Sequence, residues 1–280
     1  MPLKMYHRKS DSPEFWETHW KKFLKEVSLE EYCSAHMQNK TLLPIFEKHL
    51  PKEGKLIEGG CGIAPWVYVL QKKGYDIEGI DFAEDTINFV KSKYPDLPVR
   101  VGNVFNLDYP NDSVRGYISL GVIEHFEEGP QEILKDIYRV LTNGGVLICS
   151  VPYFNPLRRI KNKLGMYNHK GHFHQYAFTP RELEDYLNKI GFEVVDVYYY
   201  GSIKGLKDEI IMFKLPLTFL GKKIVNINRN IEGVRMKAQN TSIKTDLWRN
   251  IIWILRRLYF SQTLCYSVGH MLMMVARAKK

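Results

Sequence analysis

The chain has 280 residues, of which 45% are apolar and 25% are charged, and its formal net charge at pH 7 is +9. This composition is ordinary for a soluble globular protein with a substantial core. The first 16 residues are polar and contain Pro2 and Pro13, unlike a signal peptide. The most apolar run, 251–260, contains Arg256 and Arg257 and is too short to span a bilayer. We therefore expect a cytoplasmic protein.

The four cysteines argue against a cross-linked or zinc-bound fold. Cys33, Cys61, Cys149 and Cys265 are far apart in the chain and form no CxxC pair. Without a secretory signal, such spacing does not indicate a disulfide framework or a zinc site. We expect reduced and mostly buried thiols.

The basic excess is confined to the end of the chain. Residues 201–280 contain 15 Lys and Arg against 4 Asp and Glu, a net charge of +11, whereas residues 1–200 carry a net charge of −2. Such asymmetry suggests an anionic partner for this region, such as nucleic acid, anionic lipid or a phosphorylated substrate. A solvated basic face without a partner is the alternative.

From residue 55 onward, strand-like apolar runs alternate with helical patterns. The predicted strands are 55–58, 76–81, 99–101, 116–120, 146–151, 192–199 and 271–278. The predicted helices are 65–73, 84–94, 131–141 and 180–190, the last of which begins with a capping box at Thr179 and Glu182. The alternation predicts an α/β fold, a doubly wound, seven-stranded, mostly parallel sheet with helices on both faces.

Two segments lie outside this alternation and set the predicted domain boundaries. We expect an N-terminal helical cap over 1–50, a core over 51–203, a basic helical insertion over 204–262 and the final strand of the sheet within 263–280. A helix beginning near Thr245 carries an apolar stripe at helical spacing, which comprises Trp248, Ile251, Ile252, Leu255, Leu258 and Tyr259. This helix either packs on the core, covers an apolar substrate as a lid, or lies on a membrane surface.

A glycine-rich loop follows the first predicted strand, with the sequence Glu-Gly-Gly-Cys-Gly-Ile-Ala-Pro over 58–65. Gly60 and Gly62 allow the backbone to turn sharply and to approach a ligand closely. A dinucleotide-binding loop has a third Gly or Ala where this chain has Pro65, and the carboxylate of Glu58 would repel a pyrophosphate. The loop therefore favours a ligand with an ammonium or sulfonium group, and an NAD-dependent oxidoreductase is the rival class.

Polar side chains also end the next two predicted strands. Asp81 stands 21 residues after Gly60, where a carboxylate can accept both hydroxyls of a ribose; a helix cap is the alternative. Asn103 follows the third strand and offers a donor and an acceptor to an adenine edge. Because ligands bind outside the carboxyl ends of the strands in open α/β sheets, we expect these residues to share one site.

In their order along the chain, these motifs resemble those of class I S-adenosylmethionine-dependent methyltransferases, and within them the type 11 small-molecule branch. The resemblance covers roughly residues 38–200, and its motifs are Glu58–Ala64, Gly79–Phe82, Ser119–Phe126, Leu141–Gly145 and Phe178–Leu183 followed by Gly191-Phe192. It implies a Rossmann-like methyltransferase fold, with S-adenosyl-L-methionine as the cofactor and S-adenosyl-L-homocysteine as the product formed from it.

The resemblance also implies a role for each cofactor-binding residue. These are Glu58, Gly60, Cys61 and Gly62 at the methionine moiety, Asp81 at the ribose, Phe82, Asn103 and Val104 at the adenine, and Leu120 near the sulfonium. Two positions depart from the family pattern, which usually has Asp where this chain has Asn103 and often has Asp where it has Gly116. We expect the first change to weaken cofactor binding modestly and the second to affect the local entry into a strand.

The candidate catalytic residues are histidines at the carboxyl edge of the sheet. Methyl transfer needs a base only when the acceptor carries a proton that must leave. His125 follows the fourth predicted strand, and His172 and His174 follow the fifth; each can take a proton from a hydroxyl near neutral pH. For His125, a structural role beside the cofactor is the alternative. We expect Tyr153 and Tyr176 to form walls of the acceptor pocket.

The acceptor is expected to be a small molecule, lipid-linked, sugar-bearing or otherwise anionic, that is methylated on oxygen or nitrogen. Enzymes that methylate the exocyclic amines of bases usually carry Asn/Asp-Pro-Pro-aromatic where this chain has Leu120–Ile123, so nucleic acid is a disfavoured partner. An RNA-modifying methyltransferase and a non-catalytic binding subunit are the alternatives. Any peripheral contact with a membrane or anionic lipid would involve 204–262. No metal is expected at His169, His172 and His174, because no acidic residue is interleaved.

Overall fold

The structure is a computed structural model that describes residues 2–7, 28–35, 37–167, 170–202, 204–205 and 262–280. The chain divides into two compact units. Unit 1 comprises Met1–Phe154, Gly165–Tyr198 and Leu272–Lys280, and unit 2 comprises Asn155–Leu164 and Tyr199–Met271. The predicted helix near Thr245, with its apolar stripe, and His169 lie outside the described residues.

A seven-stranded sheet forms the centre of unit 1 and confirms the predicted fold class. Its strands are β2 Leu56–Gly59, β3 Ile77–Asp81, β4 Val99–Val101, β5 Val114–Leu120, β6 Leu141–Pro152, β8 Phe192–Tyr200 and β9 Met271–Ala278. Their spatial order is β4-β3-β2-β5-β6-β9-β8. The pairs β2–β3, β3–β4, β2–β5 and β5–β6 are parallel. The chain winds outward from β2 to β4 and returns to β5 beside β2, so the carboxyl ends of β2 and β5 form the topological switch point where such sheets bind ligands.

The helices follow the predicted alternation. They are α1 Leu29–Ala35, α2 Met37–His49, α3 Pro65–Lys72, α4 Glu84–Lys93, α5 Gln131–Val140, α6 Pro156–Lys163, α7 Pro180–Ile190 and α8 Gln262–Val268. The predicted capping box is present at α7, because the side chain of Thr179 accepts the N–H of Glu182 and the Glu182 carboxylate accepts the N–H of Thr179. This reciprocal pair fixes the first turn of α7, and Gly191 ends the helix in the left-handed conformation.

Gly116 departs from the family pattern for a packing reason. It lies within β5, opposite Leu56 of β2. A Cβ at this position would lie 2.8 Å from Cδ2 of Leu56, which is closer than two carbon atoms approach without displacement. A larger residue would therefore displace the side chain of Leu56, and the glycine lets this side chain pack closely over β5.

A two-stranded antiparallel sheet lies apart from the main sheet in unit 1. β1, Leu3–His7, pairs with β7, His172–Ala177, from Leu3 opposite Ala177 to His7 opposite His172. The predicted helical cap over 1–50 is therefore wrong at its beginning, where the chain is extended, whereas 29–35 and 37–49 are helical as expected. His172 and His174, which were expected in a loop after the fifth predicted strand, lie in a strand instead. Neither strand has a clear apolar alternation, and their pairing joins segments that are remote in sequence.

Unit 2 contains α6 and α8 in its described part. Asn155 caps α6, because its Oδ1 accepts the N–H of Arg158 at 2.8 Å. The amide of the same side chain donates to the carbonyl of Gly269 at 2.9 Å and thereby links the start of α6 to the residue after α8. Within the described ranges, every helix is too short or too polar to cross a bilayer.

Candidate active site

The glycine-rich loop after β2 turns at the switch point of the sheet. Gly60 and Gly62 have φ values of 70° and 53°, which favour glycine. The N–H groups of Gly60 and Cys61 donate to the carbonyl of Ile80 in β3 at 2.8 and 3.0 Å. A Cβ on Gly60 would lie 2.4 Å from Cγ2 of Val122. Glycine is therefore required for the loop to pack against the segment that follows β5, a contact that the sequence did not reveal.

Cys61 contributes its backbone, rather than its side chain, to this loop. Its thiol points at the neighbouring strand, since a Cβ on Gly79 would lie 2.8 Å from Cys61 Sγ. Burial raises the pKa of the thiol well above its usual value. The thiol is thus a small apolar filler between the loop and β3 and is not poised as a nucleophile.

Glu58 lies inside the fold immediately before the glycine loop and is only 3% exposed. Burial raises the pKa of its carboxyl to about 8, although a hydrogen bond from the N–H of Val67 opposes the shift. Its Oε2 has no hydrogen-bond partner among the described residues. A buried acceptor without a donor is costly to the fold, so this oxygen is available to a donor or cation that a ligand brings.

The stability of the free protein is expected to fall as the pH rises from about 4.5 to 8. The folded-state pKa of Glu58 is raised, so the unfolded chain loses this proton at a lower pH than the folded chain. Over that interval the folded state binds the extra proton, and stability falls by up to about 1.4 kcal/mol per pH unit. Urea unfolding across this range checks the slope, which should become shallower in Glu58→Gln. An unchanged slope in that variant would contradict the assignment.

Asp81 holds the glycine loop against the start of α4. Its Oδ2 accepts the N–H of Gly62 at 2.8 Å and its Oδ1 accepts the N–H of Ala83 at 2.9 Å. Burial raises the pKa of this carboxyl, and these backbone donors oppose the shift. The capping alternative is thus present in the structure. Each carboxylate oxygen can accept a second hydrogen bond, so ribose binding at Asp81 stays a prediction.

The residues predicted to contact the adenine lie after β3 and β4, where exposed aromatic rings stand near a turn that Asn103 stabilises. Phe82 is 47% exposed directly after β3. Asn103 is exposed, and its Oδ1 accepts the N–H of Phe105 at 2.9 Å, whereas the side chain of Val104 is buried in the core. Phe105 is also exposed and meets Phe126 edge-to-face at 4.5 Å between ring centroids. Phe105 was not among the predicted residues, although an aromatic residue in a polar loop was a usable signal.

A buried carboxyl lies beside His125 at the end of β5. After Leu120, which is partly exposed, Gly121 turns the chain with a φ of 73° into a 3₁₀ turn, Ile123–His125. Glu124 is 1% exposed, its Oε2 has no partner among the described residues, and burial raises its pKa to about 7. Its Oε1 lies 3.9 Å from Nε2 of His125 and 3.6 Å from where a Cβ on Gly121 would lie. The carboxyl therefore sits between the turn and the imidazole.

The structure brings together two of the three predicted catalytic histidines. Nδ1 of His125 lies 2.8 Å from the backbone carbonyl of His174. A carbonyl only accepts, so Nδ1 is the protonated nitrogen of the neutral ring and Nε2 carries the lone pair. The rings of His125 and His174 lie 5.2 Å apart, edge-to-face. His172 begins β7 and is exposed.

The two predicted wall residues are both buried. Tyr153 forms a β-bridge with Phe178, and the hydroxyl of Tyr176 donates to the carbonyl of Glu127 at 2.7 Å. The second contact ties β7 to the loop that follows His125. In the described part of the chain, no group of three His, Cys, Asp or Glu side chains is placed to hold a metal ion.

The reversal of strand order at a glycine loop, with buried carboxyls around it, defines a doubly wound α/β protein with a nucleotide-type site. The chain belongs to a methyltransferase domain family, which matches residues 29–197. This membership confirms the resemblance inferred from the motifs.

Two kinds of curated relative match part of the chain. A probable S-adenosylmethionine-dependent methyltransferase of Mycolicibacterium smegmatis is 31% identical over 141 residues, 50% of this chain and 52% of the relative. A demethylmenaquinone methyltransferase of Lysinibacillus sphaericus is 26% identical over 101 residues, 34% of this chain and 43% of that protein. The chain thus matches about half the length of these relatives.

Solved structures share the fold at low sequence identity. A possible histamine N-methyltransferase from Thermotoga maritima gives a TM-score of 0.54 at 19% identity, over 96% of this chain and all of that chain. Phosphoethanolamine N-methyltransferase 2 of Haemonchus contortus, in complex with S-adenosyl-L-methionine, gives 0.50 at 16% identity over 87% of this chain and 52% of that chain. These matches support the Rossmann-like methyltransferase fold.

Proposed function

We propose that the chain is an S-adenosylmethionine-dependent methyltransferase that acts on a small molecule. The observation that carries this proposal is the buried Oε2 of Glu58, which has no hydrogen-bond donor among the described residues and stands directly before the glycine loop. An ammonium group, as in a methionine moiety, would supply both a donor and a positive charge to this oxygen. A pyrophosphate would bring neither a donor nor a positive charge to this oxygen. The relatives named as S-adenosylmethionine-dependent methyltransferases support the same cofactor.

The residues around the switch point fit this cofactor. Glu58 would hold the ammonium, the backbone of 60–62 would lie along the methionine moiety, and Asp81 would accept the ribose hydroxyls. The exposed rings of Phe82 and Phe105 would flank the adenine, with Asn103 at its edge. When bound, the cofactor supplies an activated methyl group. The contribution of the protein is then mainly alignment, which can account for roughly 7–11 kcal/mol of the barrier.

We place the general base at Nε2 of His125. Its tautomer is set by the carbonyl of His174 at Nδ1, so Nε2 is the nitrogen that would take the proton from the acceptor. The carboxyl of Glu124, 3.9 Å from this nitrogen, would stabilise the imidazolium that forms. The proton that the acceptor oxygen or nitrogen would lose as it took up the methyl group would move to Nε2 of His125. His172 and His174 would line the acceptor side.

The acceptor class we favour is a small anionic or lipid-linked molecule. Two relatives are named demethylmenaquinone methyltransferases, and demethylmenaquinone is a lipid-soluble quinone. This similarity supports a lipid-linked acceptor, and the basic segment 204–262 would then provide contact with the anionic membrane surface. An RNA acceptor is the less favoured alternative.

Calorimetric titration tests the cofactor. We expect S-adenosylhomocysteine and S-adenosylmethionine to bind at micromolar concentrations, with one site per chain, and NADH to show no heat of binding. NADH binding without S-adenosylhomocysteine binding would overturn the proposal in favour of an oxidoreductase.

Transfer of a labelled methyl group tests the acceptor. Incubation of the protein with methyl-labelled S-adenosylmethionine and a cell extract is expected to place label in the solvent-extractable fraction. Label found only in RNA would show that the acceptor is RNA and not a small molecule. Cofactor binding without any methyl transfer would indicate a non-catalytic subunit.

A further inference from the structure

Helix α6, Pro156–Lys163, buries charged side chains and exposes an apolar one, which is the reverse of the usual distribution. Two of its basic side chains are buried, since Lys161 is 0% exposed and Arg158 is 3% exposed. In contrast, Ile160 is 55% exposed, and Leu164, the C-terminal cap residue, is 66% exposed. Buried charged side chains and exposed large apolar side chains are both uncommon. Their combination on one short helix makes its outer face a candidate contact surface.

The exposed residues of α6 form one continuous face. Ile160 and Leu164 are one helical turn apart and therefore adjacent on the surface, and Arg159 and Lys163 form a second adjacent pair beside them. Both basic residues are exposed, and neither side chain has an ion-pair or hydrogen-bond partner among the described residues. We call these four residues the α6 face.

The α6 face has the chemistry of an interfacial membrane contact. Its two aliphatic side chains can enter the boundary between headgroups and acyl chains, while the adjacent cationic groups meet anionic headgroups. Acidic residues, which such a surface would repel, do not occur between 155 and 171. The chain as a whole carries a net charge of +9, which adds long-range attraction to the same surface.

We propose that the α6 face docks the protein on the surface of an anionic phospholipid membrane. The inference deepens the proposed function, because a lipid-linked acceptor would be met at such a surface. The α6 face would be a second membrane contact, in addition to the one proposed for 204–262. It requires neither cofactor binding nor turnover, so the two proposals can fail separately.

Vesicle sedimentation tests the docking surface. The full chain is mixed with vesicles of phosphatidylcholine, either pure or with about one-third phosphatidylglycerol. We expect binding to the anionic vesicles, with partitioning reduced about tenfold or more in Ile160→Gln/Leu164→Gln through loss of apolar insertion. A similar reduction is expected in Arg159→Gln/Lys163→Gln through loss of charge. Absence of binding in the unaltered protein would overturn the proposal.

Matched controls separate the α6 face from general charge and hydrophobicity. Lys91→Gln/Lys93→Gln removes the same charge from the exposed last turn of α4, and Val195→Gln/Val197→Gln removes two exposed apolar side chains from β8. Both controls are expected to bind vesicles as the unaltered protein does. Unchanged vesicle binding in both α6 variants, or an equal loss in the controls, would overturn the proposal. It would also be overturned if the α6 variants changed the self-association of the protein and left its vesicle binding unchanged. Calorimetric binding of S-adenosylhomocysteine reports cofactor-site integrity separately.

Discussion

Glu58→Gln is expected to weaken binding of S-adenosylhomocysteine at pH 8.5 by at least about thirtyfold, while the protein stays as stable as before or becomes more stable. Removal of one partner from a buried, hydrogen-bonded charge pair typically costs a complex at least about 2 kcal/mol. In the free protein the same carboxyl is buried, and its Oε2 lacks a partner among the described residues, so its neutralisation removes an unfavourable group. Calorimetry and urea unfolding measure the two effects.

The pH dependence of binding provides a second signature of Glu58. Its pKa of about 8 means that the free protein holds the carboxyl proton at pH 6 and has largely lost it by pH 9. An ammonium ligand prefers the ionised form, so affinity should rise from pH 6 towards pH 8, below the loss of the ligand's own ammonium proton, and a proton should be released from Glu58 on binding at lower pH. Both features should vanish in Glu58→Gln and persist in the control Glu53→Gln, which removes an exposed carboxylate just before β2. Equal affinities for Glu58→Gln and the control would refute the role of Glu58.

His125→Ala is expected to reduce the kcat of methyl transfer by about 10²–10⁴-fold while S-adenosylhomocysteine binds as before. That range is typical of the loss of a general base. The measurement is initial-rate kinetics with the acceptor that the labelling experiment identifies. A loss confined to cofactor affinity would instead indicate that His125 only supports the cofactor.

Glu124→Gln distinguishes a proton-transfer role from a packing role. A carboxylate beside an imidazole raises its pKa. Because burial raises the pKa of Glu124 to about 7, its replacement should remove one ionisation from the pH profile of kcat, and the maximum rate should fall. The control Glu128→Gln removes an exposed carboxylate from the same loop and should leave the profile in place. Coincident profiles for Glu124→Gln and the control would contradict the coupling.

The main sheet was predictable because buried parallel strands are short, nearly continuous apolar runs. Strands β5 and β6 illustrate this, and all seven strands lie close to their predicted positions. The strands β1 and β7 were missed for the opposite reason. Each is short, mixes polar with aromatic residues and finds its partner about 170 residues away, so neither has a local periodicity that indicates pairing.

The candidate site was predictable where residue type alone carries the chemistry. Glu58, Asp81 and the loop glycines stand at the expected strand ends. The sequence did not show that Val122 closes on Gly60, or that the carboxyl of Glu124 is enclosed beside His125, because both depend on how the segment after β5 folds back. The inverted polarity of α6 was equally hidden, since burial of Lys161 is decided by tertiary packing.

His174, whose carbonyl contacts His125, belongs to the two-stranded sheet of β1 and β7. The contact between the two histidines therefore depends on a less stable element than the main sheet. A two-stranded ribbon is marginal by itself, and such elements open more readily than the interior of a large sheet. Loss of this pairing would loosen the contact between the carbonyl of His174 and His125, while the glycine loop stayed intact. Substitutions that weaken the pairing of 3–7 with β7 would then affect proton transfer before they affect cofactor binding.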